Sequence, residues 1–571
     1  MSYTRSEQET TMIHNGSSEW KIVVADHAIP SEKHAAEELS RFLENICGVR
    51  LPIVSDQVRS SPYEIVVGFN KRIEDIGWCP DIDRLGQEGF VIKTTRDRLI
   101  IAGGKPRGTL YGVYTFLEDV LGCRWLTSKV SHIPNVSVVK LPELDMEKIP
   151  VLATRTALFK DTYDGDWAAR NKINCWPPYR LEEKHGGKLG MSRHFVHTFY
   201  ELVPPDQYFD TNPEYFSLVQ GERKRSDGQL CLTNPEVFHI ALRQLKRWLK
   251  EEPNATIFGV SQNDWTGACE CDQCLAIDEK EESPIGSILY FVNRLAESIE
   301  EDYPDKKIET LAYWYSRKPP KHTKPRSNVI IRLCSIECCF LHPLDECEKN
   351  KSFVQDIIGW GKMSDQVYIW DYVVDFHHYL MPFPNLRVLQ SNIRFFIRNS
   401  TLGIMAQGAH TAFGTEFAEL KAYVIAKLLW DPDLDLNRLI DEFLHLYYGN
   451  SADSIKAYIQ LLERQVDALE DFHMGCFAPP HPSYFTPELL DQADALLAAA
   501  LELADDDQIR ERVAVVAMQI KYVRMILLNE QVKAMRSSFL DEAAKLGITR
   551  ITELRPLAES LNRMEAGLSV V

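Results

Sequence analysis

The sequence lacks any window of about twenty uninterrupted apolar residues, the length a membrane-spanning helix requires. Its opening stretch, MSYTRSEQETTMIHNGSSEW, also lacks the apolar run of about 7 to 15 residues that a secretory leader carries. Both absences predict a soluble, cytoplasmic chain with no membrane partner. Positive charge is scarce too: 64 Lys and Arg stand against 82 Asp and Glu, a formal net charge of −18. Such a surface repels phosphate backbones, which excludes a nucleic acid partner. No internal repeat or low-complexity tract is found. With 29 Gly, 29 Pro and 45% hydrophobic residues, the 571-residue chain is neither fibrous nor disordered.

Hydrophobic periodicity divides the chain. Residues 1–19 read as a flexible N-terminus. From Trp20 to Pro150, short β-rich runs such as Ile65-Val66-Val67 and Leu99-Ile100-Ile101 alternate with amphipathic helices. One of these carries Leu39, Phe42, Leu43 and Ile46 at helical spacing and closes on Gly48. This predicts a small α/β domain at 20–150. Over 151–430, strands ending in polar or aromatic residues alternate with helices, as in Ile257-Phe258-Gly259-Val260-Ser261-Gln262-Asn263-Asp264 and Val367-Tyr368-Ile369-Trp370-Asp371-Tyr372. The pattern predicts an α/β fold with a (β/α)8 TIM-type barrel whose reacting groups sit at the strand C-termini. Residues 431–571 read as a helical C-terminal domain, with Thr486-Pro487-Glu488 as a helix start.

Three acids occupy strand tips: Asp264, Glu337 and Asp371. Two carboxylates across a barrel mouth can protonate a glycosidic oxygen and supply a nucleophile or base. Each could instead cap a helix or bond an arginine. Aromatic residues crowd the same tips, namely Trp167, Trp176, Trp265, Tyr313, Trp314, Trp370 and Tyr372. Their faces suit the C–H faces of sugar rings, while Asn263, Arg193, His194 and His410 could bond hydroxyls. Some of these rings would equally serve a core.

Three of the thirteen cysteines, Cys269, Cys271 and Cys274, lie within six positions. In a reducing compartment this spacing suits a structural Zn2+ completed by a fourth thiolate, with Cys334, Cys338, Cys339 and Cys347 as candidates. Buried apolar packing is the alternative. No cofactor is required for the catalysis itself. Gly103-Gly104-Lys105-Pro106-Arg107-Gly108 lacks the Ser or Thr that follows Lys in a phosphate loop, so a tight turn is the preferred reading.

Several stretches together resemble a family of bacterial proteins long carried as a domain of unknown function and partly placed among glycoside hydrolases as family 163 endo-β-N-acetylglucosaminidases. They are Asn212-Pro213-Glu214-Tyr215-Phe216-Ser217-Leu218-Val219, Gln229-Leu230-Cys231-Leu232-Thr233-Asn234-Pro235, Ser261-Gln262-Asn263-Asp264 with the cysteine triplet, and Tyr368-Ile369-Trp370-Asp371-Tyr372. Arg107-Gly108-Thr109-Leu110-Tyr111-Gly112-Val113-Tyr114 resembles the small domain that precedes the barrel in family 20 β-hexosaminidases and family 67 α-glucuronidases. The resemblance implies a hydrolase of β-linked N-acetylglucosamine or a related sugar acting on imported oligosaccharides, with Asp264 as the acid after the fourth strand. The paired Asp-Glu of family 20 is replaced by Asn263-Asp264-Trp265, which points to a second acid from another strand, Glu337 first and Asp371 second. Asp264 is then expected to be held protonated in a desolvated, aromatic-lined pocket. Two rivals remain: an α-glucuronidase-like hydrolase with Arg193, Arg170 or Lys160 facing the carboxylate, and a non-catalytic sugar-binding or sensing protein. A homo-oligomer is compatible with all three.

Overall fold

A computed structural model describes residues 10–75, 77–78, 80–95, 97–175, 178–527 and 532–566. Trp176 lies outside the described residues. The chain forms two compact units, one built from residues up to 151 together with 161–174 and 178–188, the other from 152–160, 175–177 and 189 onward.

The first unit holds a six-stranded sheet of β1 (Lys21–Val24), β2 (Ile53–Ser55), β3 (Glu64–Val67), β4 (Phe90–Thr94), β5 (Arg98–Gly103) and β6 (Asp145–Lys148), in the order β6-β4-β5-β3-β1-β2. The β2-β1-β3-β5 ladders are parallel and the β5-β4-β6 ladders antiparallel. The helix Pro30–Cys47 buries Leu39, Phe42, Leu43 and Ile46. It stops where Gly48, at φ 74°, donates its N–H to Glu44 O. The Gly-rich segment after β5 is a turn into the helix Gly108–Thr115. A Cβ on Gly104 would stand 1.7 Å from Gly86 O, so the glycine serves close backbone packing.

The second unit carries β7 (Thr154–Leu158), β8 (Ile257–Gly259), β9 (Lys307–Ala312), β10 (Val329–Cys334), β11 (Val367–Tyr372) and β12 (Thr401–Gln407) in one parallel sheet ordered β7-β12-β11-β10-β9-β8. Every residue of β7 and β10 is buried, as strands covered on both faces must be. The expected eight-stranded barrel is met in part: among the described residues, six strands form this sheet. Residues 190–194 run beside β8, with Ser192 N–H donating to Ile257 O at 2.9 Å and Gly259 N–H to His194 O at 2.8 Å, yet form no strand. Met191 N–H turns back to Leu189 O at 2.7 Å on one side of this stretch, and His197 takes φ 56° on the other.

Inside this unit Arg332 on β10 and Glu309 on β9 form a bidentate pair at 2.8 and 2.7 Å, both at most 2% exposed. The helices beyond residue 431 belong to the same compact unit as the sheet. Tyr522 bonds His378 Nδ1 at 2.8 Å, and the segment after Gly547 lies along residues 376–379 through Tyr379 N–H to Ile551 O and Glu553 N–H to Phe376 O. No helix among the described residues is long and apolar enough to cross a membrane.

Candidate functional site

The C-terminal ends of the parallel strands open onto a cavity of about 280 Å³. Its apolar wall comprises Leu158, Val196, Leu311, Ile336, Phe376 and Phe477. Its polar groups are two carboxylates, Asp264 and Glu553, two imidazoles, His197 and His410, and Gln407, Tyr313, Tyr372 and Trp370. Strand alternation explains the last pair. Trp370 and Tyr372 are two residues apart on β11, so both point to one face, and their rings run nearly parallel at 6.1 Å.

Asp264 lies five residues beyond the end of β8. Its Oδ1 accepts the Tyr313 hydroxyl at 3.0 Å, and His197 Nε2 stands 3.7 Å away. Burial, and then the neighbouring Asp264 carboxylate, push the Tyr313 phenol above its ordinary range, so it remains a donor. His197 Nδ1 faces Gln262 O at 2.8 Å. A carbonyl only accepts, so Nδ1 is the donor in that bond. The Asp264 side chain is 57% exposed, so the expected desolvated setting is not what surrounds it.

The second acid of the cavity is Glu553. Gln407 Nε2 donates to its Oε1 at 3.0 Å, and His410 Nε2 lies 3.2 Å from the same oxygen. Trp370 Nε1 in turn donates to Gln407 Oε1 at 2.7 Å. A chain of bonds thus runs from the aromatic wall to the carboxylate, leaving Oε2 of Glu553 for a ligand.

The other two acids expected here do not line the cavity. Asp371 sits between Trp370 and Tyr372, so the same alternation turns it to the opposite face, where Ser335 Oγ donates to it at 2.7 Å. Burial raises its carboxyl to about 6. Glu337 follows cavity-lining Ile336 but turns outward to Arg317 Nη1 at 2.9 Å, and the same guanidinium holds Asp356 at 2.7 Å.

Of the expected sugar contacts, Tyr313, Trp370, Tyr372 and His410 line the cavity. Trp314 stacks on Tyr313 at 5.0 Å and is 37% exposed. Asn263 and Trp265 build the loop instead: Asn263 Nδ2 and Trp265 Nε1 both donate to Gly228 O, and Gln229 spans Asn263 N–H and Trp265 O. Arg193 pairs with Glu251 and Glu252 on the surface, and His194 stacks on Trp248 at 3.9 Å. Trp167 belongs to the first unit, where it is 1% exposed in the helix Gly165–Arg170. The residues missed were Gln407, Phe477 and Glu553. The last had a signal: Gly547 and Pro556 bracket Ile548, Thr549, Ile551 and Thr552, a β-branched run that no helix favours.

Cys269, Cys271 and Cys274 converge with Cys231, their four sulfurs lying within 4.8 Å of one another. The fourth partner is therefore Cys231, not Cys334, Cys338, Cys339 or Cys347. It comes from the loop whose Gln229 holds Asn263, so the cluster braces the turn carrying Asp264. Cys231 and Cys271 sulfurs are 3.7 Å apart, and Leu218 N–H donates to Cys269 Sγ at 3.4 Å. Two thiolates at about 2.3 Å from one tetrahedral zinc stand about 3.8 Å apart, so this donor set fits that ion.

The fold is shared with solved glycoside hydrolases at low identity. One, described as a novel family GH115 4-O-methyl-alpha-glucuronidase, BtGH115A, with specificity for decorated arabinogalactans, aligns over 94% of this chain and 77% of its own, at TM-score 0.59 and 11% identity. CpGH84B aligns over 100% and 96% at TM-score 0.50 and 12% identity, and CpGH84D over 99% and 97% at 0.50 and 9%. No curated protein matches the sequence. Residues 1–116 match the glycosyl hydrolase family 67 N-terminus. Residues 125–460, more than half of the chain, match the family described as Domain of unknown function (DUF4838), and the chain belongs to that family.

Proposed function

We propose that this chain is a glycoside hydrolase that holds one sugar ring in the cavity at the strand C-termini and cleaves its glycosidic bond with Asp264 and Glu553. The observation that carries this is the presence of two carboxylates and five aromatic side chains, Tyr313, Trp370, Tyr372, Phe376 and Phe477, in the wall of one cavity. Its volume lies just under the roughly 300–1,000 Å³ of small-molecule sites, a size suited to one ring and not to a long oligosaccharide. Asp264, whose exposed carboxyl can take up a proton from solvent, passes that proton to the leaving oxygen as the bond to the anomeric carbon breaks. Glu553 takes the proton of the attacking water or attacks that carbon itself. His197 Nε2, beside Asp264, is placed to return a proton to it.

The substrate we favour is a β-linked N-acetylglucosamine-type glycoside. Among the described residues no Arg or Lys lines the cavity, whereas a glucuronate carboxylate needs a cation. Arg193 is engaged with Glu251 and Glu252, and Arg170 with Glu38 in the first unit. The α-glucuronidase reading draws on the family 67 N-terminal match and on BtGH115A, whose shared fold does not by itself carry activity. A panel of aryl glycosides decides between them: turnover of the β-N-acetylglucosaminide is expected, and turnover of the α-glucuronide alone would overturn the substrate assignment. Asp264→Asn should lower kcat about a hundredfold or more while sugar binding persists. Near-wild-type turnover would remove Asp264 from the chemistry, and binding without product under every glycoside tried would favour a sensor.

We also propose that Cys231, Cys269, Cys271 and Cys274 hold a structural zinc ion. A closed four-thiolate shell leaves no position for water, so the ion would stabilise the Asp264 loop and take no part in bond cleavage.

A further inference from the structure

A second group of metal-binding side chains lies on another wall of the same unit. Cys339, His342, Cys347 and His473 bring one ligand atom each within 4.8 Å of one another. Three of them come from the loop that follows β10. The fourth lies 126 residues beyond Cys347, in the segment between the helices Ala452–Asp467 and Pro487–Glu502.

The distances favour a shared ion over chance packing. Cys339 Sγ stands 3.4 Å from His342 Nδ1, and Cys347 Sγ stands 3.5 Å from His473 Nδ1. A thiolate at about 2.3 Å and an imidazole nitrogen at about 2.05 Å from one tetrahedral zinc lie about 3.6 Å apart. The two imidazole rings are 5.2 Å apart and inclined at 64°, so both Nδ1 atoms can face one point without the rings clashing. Outside the cluster, His473 Nε2 lies 3.0 Å from Asp471 Oδ1. A carboxylate on the outer nitrogen makes Nε2 the donor and leaves the Nδ1 lone pair toward the sulfurs, the arrangement that supports a histidine ligand. The loop is also held ready: Cys339 N–H donates to Asn350 Oδ1 at 2.7 Å and Asn350 Nδ2 to Cys339 O at 3.0 Å. Both cysteines are free and buried.

We infer that Cys339, His342, Cys347 and His473 form a second structural zinc site, of the Cys2His2 type, that ties the loop after β10 to the segment carrying Phe477. What it would fasten is the cavity wall. Phe340 N–H donates to Met474 O at 3.0 Å, Cys476 Sγ to Ile336 O at 3.4 Å, and Phe376 N–H to Cys476 O at 2.8 Å. Ile336, Phe376 and Phe477 all line the cavity. Two distant stretches of chain thus build one wall, and a metal crosslink removes their freedom to part.

The test is the metal content of the untagged full chain, purified under reducing conditions and measured by elemental analysis alongside variants. His473→Ala should contain one zinc equivalent fewer than the wild type, and His473→Cys, which keeps a ligand, should recover it. Cys231→Ser reports separately on the four-cysteine cluster, so failure of that site leaves this result readable. The inference is overturned if the wild type binds no zinc, if His473→Ala retains the wild-type content, or if Cys339 and Cys347 are found joined as a disulfide. Should His473→Ala fail to fold, cobalt-loaded wild-type protein decides. Ligand-field bands of a mixed sulfur and nitrogen tetrahedral site support the assignment, and a four-thiolate spectrum alone overturns it.

Discussion

Glu553→Gln replaces one carboxylate oxygen with an amide nitrogen and leaves the side chain its length and one acceptor. The amide oxygen can still accept from Gln407 Nε2 and His410 Nε2, which bond Glu553 at 3.0 and 3.2 Å. The change weakens two bonds to a charged acceptor into neutral ones, a loss of about 1–2 kcal/mol. In a unit of roughly 400 residues, at about 2.1 cal/mol/K of unfolding entropy per residue, that corresponds to a fall in Tm of about 1–3 °C. Catalysis should respond on another scale. Removal of a positioned acid–base or nucleophilic carboxylate lowers kcat by roughly 10²–10⁴, equivalent to about 3–5.5 kcal/mol of transition-state stabilisation. The assay is steady-state hydrolysis of whichever aryl glycoside the wild type turns over, with a thermal melt of each preparation and Glu337→Gln run in parallel. A loss of less than tenfold at Glu553, or an equal loss at Glu337, would refute the assignment of Glu553 as the second acid.

What the sequence disclosed and what it hid follow the range of the interactions. Asp264 was legible because a β-rich run leads directly to it, and Trp370 and Tyr372 because alternation sets them on one face of β11. The same rule also speaks against Asp371, the residue between them, and weighing the tip position above the alternation led to the wrong expectation. Glu337 follows a strand as predicted, but whether a loop residue turns in or out depends on partners such as Arg317, twenty positions away. Glu553 reaches Gln407 across 146 positions, and no local pattern encodes that contact. The proposed metal ligands divide in the same way. Cys269, Cys271 and Cys274 announce themselves by spacing, whereas Cys231 and His473 are supplied by distant loops that only the folded chain brings near. The positive φ of His197 is equally silent in the sequence, and it goes with an imidazole whose Nε2 stands 3.7 Å from Asp264.

The buried pair of Arg332 and Glu309 offers a stability test. Glu309→Gln strands a guanidinium that is 2% exposed, a loss of about 3–5 kcal/mol, or about 4–6 °C in Tm for this unit. Glu309→Leu combined with Arg332→Met should recover most of that, and a double variant as unstable as the single would show that the pair is not what holds β9 to β10. Asp371 supplies the pH-dependent case. Burial raises its carboxyl from 3.8 to about 6, with one side-chain donor, Ser335 Oγ, to offset it. The folded chain therefore keeps this proton over a range where the unfolded chain has released it. Stability contributed by the group is full below about pH 4, falls as pH rises toward 6, and above that the ionised buried carboxylate costs about 3 kcal/mol. Asp371→Asn still accepts from Ser335 and cannot ionise. Its Tm should exceed that of the wild type by about 3–4 °C at pH 7.5 and match it at pH 4, with turnover retained because the side chain faces away from the cavity. An equal shift at both pH values would show that charge burial is not the cause. A collapse of kcat would restore Asp371 to the chemistry and refute the orientation argument drawn from β11.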